Sequence, residues 1–340
     1  MTNCIGADET DAACLHIGLV NNMPDSSLEA TERQFRSLLC EAADGATVYL
    51  SLFAIPEIPR SDQARRRIGS SYACVSQAPD SHLDGLIVTG AEPAVPNLSD
   101  EPFWPRLARL IDWAQHGAYS SIWSCLAAHA AVLRLDGITR RRLPDKFFGV
   151  FECAKVCEHG FTAGIPERFF TPHSRWNTIP HDLLTLHGYR VLTRLQDGSA
   201  DSFIKEGDSL LVFLQGHLEY DEASLLLEYR RDIRRFLRRE RDAYPAIPHG
   251  YFDSHAEADW TLRRNLALAG CGEQALPDFP AIRVHRPWRS EAVRFYRNWL
   301  RYLSEQKRHF LDRQQAWIHR PFPTARTVPS DYTVPETEAG

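Results

Sequence analysis

Residues 120–129, with the sequence SSIWSCLAAH, decide the fold class of this chain. The first five read as a short apolar strand, and the Ala- and Leu-rich residues after Cys125 read as the start of a helix. A strand that turns sharply into a helix is the repeating unit of α/β proteins with a parallel sheet. Cys125 stands at this turn, where its thiol would lie above the carboxyl edge of the sheet.

The same alternation of strand and helix continues on both sides of this segment. Strands are predicted at residues 15–20, 47–53, 83–88 and 210–216, and helices at 30–42, 103–115, 125–135 and 221–244. Nearly continuous apolar strands indicate burial on both faces. The pattern predicts an α/β fold with a doubly wound, mostly parallel sheet and helices on both faces. Residues 144–180, rich in Phe, His and Pro, are predicted to form a small inserted β-rich lobe.

One domain is predicted to occupy residues 15–314, with the irregular insert at about 144–180 and a C-terminal helix at 291–314. Residues 1–14 are predicted to be a flexible N-terminus. Residues 315–340 are rich in Pro, Thr and Glu and are predicted to be a disordered tail. The chemistry is therefore expected within a single large core.

The composition excludes several classes of function. The chain has 340 residues, 44% of them hydrophobic, and a formal net charge of −5. This charge argues against nucleic acid or an anionic membrane as the main partner. No apolar run approaches the ~20 residues of a membrane span, and the acidic start lacks the order of a secretory signal. Eight cysteines without a disulfide-scaffold spacing predict reduced thiols and a cytoplasmic location.

Cys125 is the candidate nucleophile. The amides of a helix N-terminus stabilise a thiolate, and the amide of Leu126 is placed to receive an oxyanion. The alternative is a buried structural cysteine, which is the commoner role of a free thiol. The position of Cys125 alone does not decide between these two interpretations.

A second strand end supplies the groups that a thiol nucleophile needs. His217 and Glu219 follow the apolar strand at 210–216, and their spacing of two residues puts both side chains on one face of an extended segment. Glu219 can then orient the imidazole of His217, which can accept a proton from Cys125. Ligands of open α/β sheets bind at the carboxyl ends of the strands. Together the three residues predict covalent acyl chemistry.

Other patterns are weaker. Cys153, Cys157 and His159 lack a second ligand pair at zinc-finger spacing, so no metal site is predicted. Most of the arginines at residues 230–241 are predicted to form a solvated helix face that is balanced by Glu228, Asp232 and further acidic residues, while one or two could bind a phosphate or carboxylate. Neither a Walker loop nor a dinucleotide-binding glycine pattern occurs in the sequence.

Five blocks of sequence resemble one known family. They are NMP at 22–24, DGLIVTGA at 84–91, FGVFE at 148–152, TPHSR at 171–175 and GHLEYD at 216–221. In this order they are similar to the homoserine O-acyltransferases of the homoserine O-succinyltransferase type. The resemblance implies a fold like that of class I glutamine amidotransferases. It also implies transfer of an acyl group from acyl-coenzyme A to the homoserine hydroxyl, in methionine biosynthesis.

The resemblance also implies a role for individual residues. It places the nucleophile at Cys125, the base at His217 and the supporting acid at Glu219, with backbone amides near Ala91 and Leu126 as the oxyanion site. Its substrate-binding positions fall on Lys146, Ser174, Arg175 and Arg231. Homoserine and acyl-coenzyme A, supplied as succinyl- or acetyl-coenzyme A, are the expected substrates, and no bound cofactor is expected. A homodimer is the expected assembly.

The choice of acyl donor is predicted from one position after Thr-Gly-Ala. In the family a Glu there favours acetyl and a small residue leaves room for succinyl, and an ungapped reading from Gly90 places Ala94 at that point. Succinyl is therefore favoured, although a shift of two residues would place Glu92 there instead. Homoserine O-acetyl transfer, a cysteine hydrolase or glutaminase of the same fold, and a noncatalytic binding protein are the alternatives. They stay open because Cys125-Leu126-Ala127 departs from the family's usual sequence after the nucleophile.

Overall fold

A ten-stranded sheet crosses the computed structural model, which describes residues 14–270 and 288–318. Its spatial order is β3-β2-β1-β4-β5-β10-β9-β8-β6-β7. The strands are β1 (Cys14–Val20), β2 (Thr47–Ala54), β3 (Ala73–Cys74), β4 (Gly85–Val88), β5 (Ser120–Ser124), β6 (Arg141–Lys155), β7 (Arg168–Thr178), β8 (Arg190–Leu195), β9 (Ala200–Lys205) and β10 (Leu210–Leu214).

Eight α-helices accompany the sheet in the described part of the chain. They are α1 (Asp25–Ala42), α2 (Asp62–Ser71), α3 (Trp104–Ala114), α4 (Leu126–Asp136), α5 (His181–Leu186), α6 (Ser224–Leu237), α7 (Ser254–Leu268) and α8 (Arg289–Ile318). Apolar residues of α3, α4 and α5 belong to one core cluster, and those of α1 and α8 belong to another. The sheet therefore lies between two helical layers.

The parallel half of the sheet is made of β3, β2, β1, β4, β5 and β10, which pair in parallel along that order. Neighbouring residues of these strands enter opposite cores. Ile122 packs with the α1 and α8 side, and Trp123 packs with the α3 and α4 side. Both are fully buried, as expected of strands that are covered on two faces. The predicted doubly wound α/β fold is confirmed.

The other half of the sheet is antiparallel. β6, β7, β8 and β9 pair with one another in antiparallel fashion, and β9 joins them to β10. β6 and β7 cover the segment that was predicted to be β-rich, and they extend the same sheet. The sequence patterns did not predict β3, β8, β9, α2, α5 or α7. In α7 only Trp260 and Ala267 are buried, so the apolar periodicity that would reveal the helix is weak.

The ends of the chain differ in part from the predicted boundaries. Cys14 already belongs to β1, and α8 runs from Arg289 to Ile318 where a helix at 291–314 was predicted. The remainder of the predicted flexible N-terminus (1–14) and disordered tail (315–340) lies outside the described residues. The predicted helix at 221–244 is shorter, since α6 ends at Leu237. Among the described helices, none combines the length and apolarity needed to cross a membrane.

Strand register brings three loops to one edge of the sheet. Leu214 pairs with Ser124, and Val88 pairs with Trp123, both in parallel strands. The residues that follow β4, β5 and β10 therefore leave the sheet side by side, as the carboxyl ends of parallel strands do. Cys125 and His217 are among these residues.

Candidate active site

Cys125 forms the sharp turn between β5 and α4. Its backbone has φ 51° and ψ −116°, a conformation that costs a non-glycine residue of order 1–3 kcal/mol. The surroundings fix this turn, because the Cys125 amide donates to the carbonyl of Leu214 at 2.7 Å and its carbonyl accepts from the amide of Ala128 at 3.0 Å. The partly exposed thiol therefore stands at the N-terminus of α4, as predicted.

The loop after β4 lies directly against this turn. A Cβ at Gly90 would lie 3.0 Å from the backbone nitrogen of Leu126, so only glycine allows this approach without a shift. Leu126 is the first residue of α4, so its amide has no acceptor within the helix. Ala91, the next residue after Gly90, lines the same cavities as Cys125 and Leu126. The two predicted oxyanion residues thus flank the thiol.

His217 and Glu219 complete a strand-end cluster with Cys125. Nδ1 of His217 lies 2.8 Å from Oε1 of Glu219, and both side chains are buried. The thiol of Cys125 hydrogen-bonds the same imidazole. Ser124 adds a weak contact, with its hydroxyl 3.5 Å from Oε1 of Glu219. The three side chains therefore form a chain of thiol, imidazole and carboxylate, although they follow two different strands.

The protonation state of His217 follows from this arrangement. Burial lowers the pKa of His217, but the charges of Cys125 and Glu219 and the hydrogen bonds to them outweigh it. The net result raises the pKa of His217 well above its ordinary value. His217 therefore carries its proton beside the Cys125 thiol and the Glu219 carboxylate.

The loop that carries His217 is held from several sides. The backbone amide of His217 donates to the carbonyl of Pro172 at 2.8 Å, and the ring of Tyr220 stacks on the His217 imidazole at a centroid distance of 4.2 Å. The indole of Trp288 donates to the carbonyl of Tyr220 at 3.0 Å. These contacts fix the imidazole plane, which a proton-transfer group requires.

Two cavities meet at the thiol. Their volumes are about 740 Å³ and 760 Å³. Five residues line both of them, namely Ala91, Cys125, Leu126, Ser174 and Trp176. The thiol can therefore be reached from two separate spaces, which suits a reaction with two substrates.

The first space, here named the mixed-charge cavity, has cations and carboxylates in contact. Nζ of Lys146 lies 3.1 Å from Oδ2 of Asp232 and 3.4 Å from Oε2 of Glu228. Arg231 lies 3.1 Å from Oδ1 of Asp232 and 3.8 Å from Oε2 of Glu228. Ser174 donates its hydroxyl to Oε2 of Glu228 at 2.6 Å. Three predicted substrate-binding residues, Lys146, Ser174 and Arg231, are thus brought together here.

Glu228 and Asp232 were expected on a solvated helix face, and this expectation is wrong. Both side chains are largely buried in the mixed-charge cavity, and Glu228 also accepts the hydroxyl of Tyr220 at 2.6 Å. Burial raises the pKa of each carboxyl group. The positive charges of Lys146 and Arg231 and the hydrogen bonds outweigh this effect, so the pKa values of both groups are lowered. The i, i+3, i+4 spacing of Glu228, Arg231 and Asp232 on α6 is the signal that could have revealed this face.

The second space is here named the arginine cavity, because Arg140, Arg142 and Arg175 line it. Arg175 was predicted to bind substrate with Lys146 and Arg231, but it faces this other cavity. It is buried, donates to the carbonyl of Asn177 at 2.8 Å, and lies over the ring of Phe147.

The two candidate donor-selecting residues lie in different cavities. Ala94 lines the arginine cavity. Glu92 lines the mixed-charge cavity, where its carboxylate lies 3.3 Å from Arg235. The two alignments weighed from the sequence therefore correspond to two different spaces beside the thiol.

A second group of the same residue types, the buried cluster, is formed by Cys153, His173 and Asp201. Their potential ligand atoms lie within 4.8 Å of one another, a spacing that a metal ion can span. Nε2 of His173 lies 3.1 Å from Oδ1 of Asp201, and the thiol of Cys153 lies 3.4 Å from the hydroxyl of Thr171. Of the pattern considered in the sequence, Cys157 and His159 are not part of this group. His173 and Asp201 are too distant in sequence for a local motif to reveal.

Burial dominates the electrostatics of the buried cluster. It raises the pKa of the Cys153 thiol well above the ordinary value, and the negative charge of Asp201 adds to this effect. Burial also lowers the pKa of His173, although Asp201 opposes it. Neither His173 nor Cys153 has any exposed surface. The cluster is therefore a protonated thiol beside a neutral imidazole, closed to solvent.

The buried cluster lies directly under the loop that carries His217. A Cβ at Gly216 would lie 2.3 Å from the side chain of Thr171, 3.0 Å from Oδ1 of Asp201 and 3.1 Å from Cε1 of His173. Only glycine lets the chain cross this cluster so closely. The loop of the strand-end cluster thus rests on the buried cluster.

Sequence comparisons identify relatives of this chain. The family model described as homoserine O-succinyltransferase matches residues 2–310. A protein named homoserine O-succinyltransferase from Methylorubrum extorquens is 44% identical over 296 residues, which cover 86% of this chain and 88% of the relative. One of the same name from Rhodopseudomonas palustris is 43% identical over 310 residues, covering 89% and 93%.

A solved structure is similar at a lower level. A glutamine amidotransferase from Thermotoga maritima matches with a TM-score of 0.45 and 13% identity, covering 85% of this chain and 98% of that one. The fold class rests on the strand order and pairing of this chain and needs no support from that match. The family model and the relatives, which extend over most of the chain, decide the family. The chain belongs to the homoserine O-succinyltransferase family.

Proposed function

We propose that this protein transfers the succinyl group of succinyl-coenzyme A to the hydroxyl of homoserine, through a thioester on Cys125. The observation that carries the proposal is the hydrogen-bonded chain of Cys125, His217 and Glu219 at the junction of two cavities. Membership of the family supports the reaction class.

The first half-reaction acylates Cys125. The thiolate attacks the thioester carbonyl, and the bond between that carbon and the coenzyme A sulfur breaks when the tetrahedral intermediate collapses. The coenzyme A thiolate takes the proton of the His217 imidazolium and leaves as a thiol. The raised pKa of His217 suits this role, because the proton is already on the imidazole when the thiolate attacks.

The second half-reaction regenerates the pair. The homoserine hydroxyl gives its proton to the neutral His217 and attacks the acyl carbon, and Cys125 leaves as a thiolate. Glu219, which lies 2.8 Å from Nδ1 of the imidazole, keeps Nε2 directed to the reacting atoms and stabilises the imidazolium. The enzyme then carries the imidazolium and thiolate with which it began.

Backbone amides are proposed to hold the oxyanion in both steps. The amides of Ala91 and Leu126 flank the thiol at the N-terminus of α4. A developing negative charge at that point is stabilised by the unpaired amides and the dipole of the helix.

The mixed-charge cavity is proposed to bind homoserine, which is a zwitterion. Arg231, which is partly exposed, is placed to hold the amino-acid carboxylate. Glu228 and Asp232 are placed to receive the ammonium, with Lys146 and Ser174 holding those carboxylates in position. A cavity that presents both signs of charge suits a ligand that carries both.

Succinyl is proposed as the acyl group in preference to acetyl. Ala94, the small residue at the expected selecting position, lines the arginine cavity, whereas Glu92 lines the other cavity and pairs with Arg235. No carboxylate of Glu92 therefore fills the space beside Ala94. Ala94→Glu should shift the ratio of kcat/KM for the two donors towards acetyl-coenzyme A.

The test is to incubate the protein with succinyl-coenzyme A, with and without homoserine, and to measure the masses of its proteolytic peptides by mass spectrometry. Without homoserine, the peptide that contains Cys125 should gain one succinyl group. With homoserine, coenzyme A should be released in proportion to O-succinylhomoserine. Release of coenzyme A that does not depend on homoserine would indicate a hydrolase, and an adduct on another cysteine would overturn the mechanism. A higher kcat/KM with acetyl-coenzyme A would instead identify an acetyltransferase.

A cytoplasmic homodimer is also proposed. Helix α7 exposes Leu262 and Leu266, which are one turn apart on the same face, and soluble enzymes commonly form two-fold dimers. Light scattering on the purified protein should give about twice the mass of 38.7 kDa expected for one chain. Leu262→Glu should lower that mass to the value of the monomer if α7 forms the contact.

A further inference from the structure

The two cavities beside Cys125 differ in charge. The mixed-charge cavity is lined by Glu92, Glu228, Asp232, Glu240 and Asp242 as well as by cations. The arginine cavity is lined by three arginines, and no described residue that lines it is Asp or Glu. A space with only positive charges favours an anionic ligand, because such a ligand finds attraction on every side.

The three arginines lie at different depths. Arg142 is exposed, and its guanidinium lies 4.4 Å from the ring centre of the half-exposed Trp176, which also lines the cavity. Arg140 is half-buried. The outer part of the cavity therefore offers a cation and an aromatic face, and a further cation stands deeper.

The guanidinium of Arg140 is held in place by one hydrogen bond, but one of its N–H donor groups has no partner. Its Nη2 donates to the carbonyl of Pro96 at 2.7 Å, whereas its Nη1 is buried without a hydrogen-bond partner. Burial lowers the pKa of the guanidinium, and the positive charge of Arg142 adds to this, whereas the negative charges of Glu101 and Cys125 oppose it. A buried donor without a partner is costly, and an anion bound next to it would remove that cost.

The loop to which Arg140 is tethered is itself fixed. The amides of Ala94 and Val95 donate to Oε1 of the buried Glu101, at 2.6 and 2.9 Å. This arrangement holds the small side chain of Ala94 and the guanidinium of Arg140 on the wall of one cavity, which ends at Cys125. An acyl group that has reached the thiol from this side would extend along that wall.

We propose that the arginine cavity binds the acyl-coenzyme A donor and that Arg140 receives the free carboxylate of its acyl group. The proposal rests on the proposed succinyl transfer. It makes Arg140 the residue that separates a dicarboxylic acyl group from an uncharged one of the same length. The outer arginine and Trp176 then face the coenzyme, which carries phosphates and an aromatic base.

The experiment compares binding of two coenzyme A esters that differ in one carboxylate. Succinyl- and butyryl-coenzyme A have acyl chains of four carbons, and only the first carries a terminal charge. Dissociation constants are measured by calorimetry in the Cys125→Ala background, so that no ester is consumed. Arg140→Gln should weaken the binding of succinyl-coenzyme A by about 10- to 100-fold, the effect of one lost charge-assisted hydrogen bond. It should leave butyryl-coenzyme A within about threefold.

Matched variants separate recognition from folding. Arg141, which neighbours Arg140 in sequence but does not line the cavity, is replaced by Gln as the control and should change neither constant. Arg140→Lys should restore most of the preference, since it keeps the charge. Equal weakening of both esters by Arg140→Gln, or no weakening of either, would overturn the inference.

The outcome is distinguishable from failure of the proposed function. If Arg140→Gln separates the two esters but wild-type protein does not acylate Cys125, the donor site stands and the acyl-cysteine mechanism fails. If wild-type protein acylates Cys125 and makes O-succinylhomoserine but Arg140→Gln binds both esters normally, the reaction stands and the assignment of Arg140 fails.

Discussion

The strand-end cluster and the buried cluster contain the same three kinds of group, a thiol, an imidazole and a carboxylate. In the first, Cys125 is partly exposed, and the pKa of His217 is raised well above its ordinary value. In the second, Cys153 has no exposed surface, and the pKa of His173 is lowered. The residue types are therefore insufficient to identify a reactive site.

Access and charge separate the two clusters. Cys125 lies at a strained turn between two cavities, where a thiolate is stabilised by a helix N-terminus and by an imidazolium. Cys153 lies on a strand within the sheet, where burial and Asp201 both oppose ionisation. The two cysteines therefore differ in backbone turn and solvent access, although each has a histidine nearby.

The largest expected contrast is between the two cysteines. Cys125→Ala should reduce turnover by about 10⁴-fold or more, because no other cysteine in the described part of the chain lies at the cavity junction. Cys153→Ala should leave kcat/KM within about threefold and lower the free energy of unfolding by about 1 kcal/mol, through a small cavity in the core. Steady-state kinetics and urea unfolding measure both effects. A comparable loss of turnover in Cys153→Ala would break the contrast.

The second-largest contrast is expected between substitutions of the two carboxylates, Glu219 in the strand-end cluster and Asp201 in the buried cluster. Glu219→Gln should lower kcat by about 10- to 100-fold, because His217 loses the charge that orients and stabilises it, and His217→Ala should lower it more. Asp201→Asn should leave kcat within a few-fold of wild type. Kinetics at saturating homoserine distinguish these outcomes. If Glu219→Gln were more damaging than His217→Ala, the assignment of the base would be wrong.

A residue outside both clusters sharpens the comparison by testing the cavity. Arg231→Ala should raise the KM for homoserine by about tenfold or more, because a substrate carboxylate loses a charged partner. The KM for the acyl donor should stay nearly constant. Arg234→Ala is the matched control, since Arg234 is an exposed neighbour on α6. A change confined to the donor KM would show that the mixed-charge cavity holds the other substrate.

The smallest expected effect is on the pH dependence of stability. The folded pKa of His173 is lowered, so below about pH 6.5 the unfolded chain binds a proton that the folded chain does not. The free energy of unfolding should therefore fall as the pH drops below that value, and His173→Gln should make the fall shallower. His217 acts in the opposite sense. Its contribution is complete below about pH 6.5 and is lost as the pH rises through its raised folded pKa.

Urea unfolding between pH 4 and pH 7 measures this slope. His255→Gln, at an exposed position on α7, is the control and should leave the slope unchanged. Part of the slope should persist in His173→Gln, because burial lowers the pKa of His129 to about 3, with Arg175 and Arg140 adding to the effect. An unchanged slope in His173→Gln would mean that its imidazole is charged in the folded protein.

The sequence was sufficient to predict five of the six parallel strands, all but the two-residue β3, and the residues that follow them. Cys125 and His217 each follow a short apolar run, and parallel strands place their carboxyl ends together, so local patterns determine a distant contact. The sequence was insufficient where burial overrides residue type. Glu228 and Asp232 read as solvent-facing charges, and only the tertiary packing of α6 turns them inward.

Long-range pairing accounts for the other differences. Cys153 was weighed only with Cys157 and His159, which are near it in sequence, whereas the partners in the structure come from β7 and β9. The sequence groups Arg175 with Lys146 and Arg231, but in the structure Arg175 lines only the arginine cavity, whereas its neighbour Ser174 lines both cavities. The antiparallel strands β8 and β9 are short and were not recognised from their composition.

The junction of two cavities at one thiol has a kinetic consequence. In a ping-pong enzyme whose substrates share one pocket, a high concentration of either substrate forms a dead-end complex with the wrong enzyme form and inhibits turnover. If homoserine binds in the mixed-charge cavity, as proposed, it leaves the arginine cavity open to the donor, which can still reach Cys125. Once homoserine is saturating, raising its concentration further should therefore leave the apparent KM for the donor unchanged, and inhibition by excess homoserine should be absent from the rate curves.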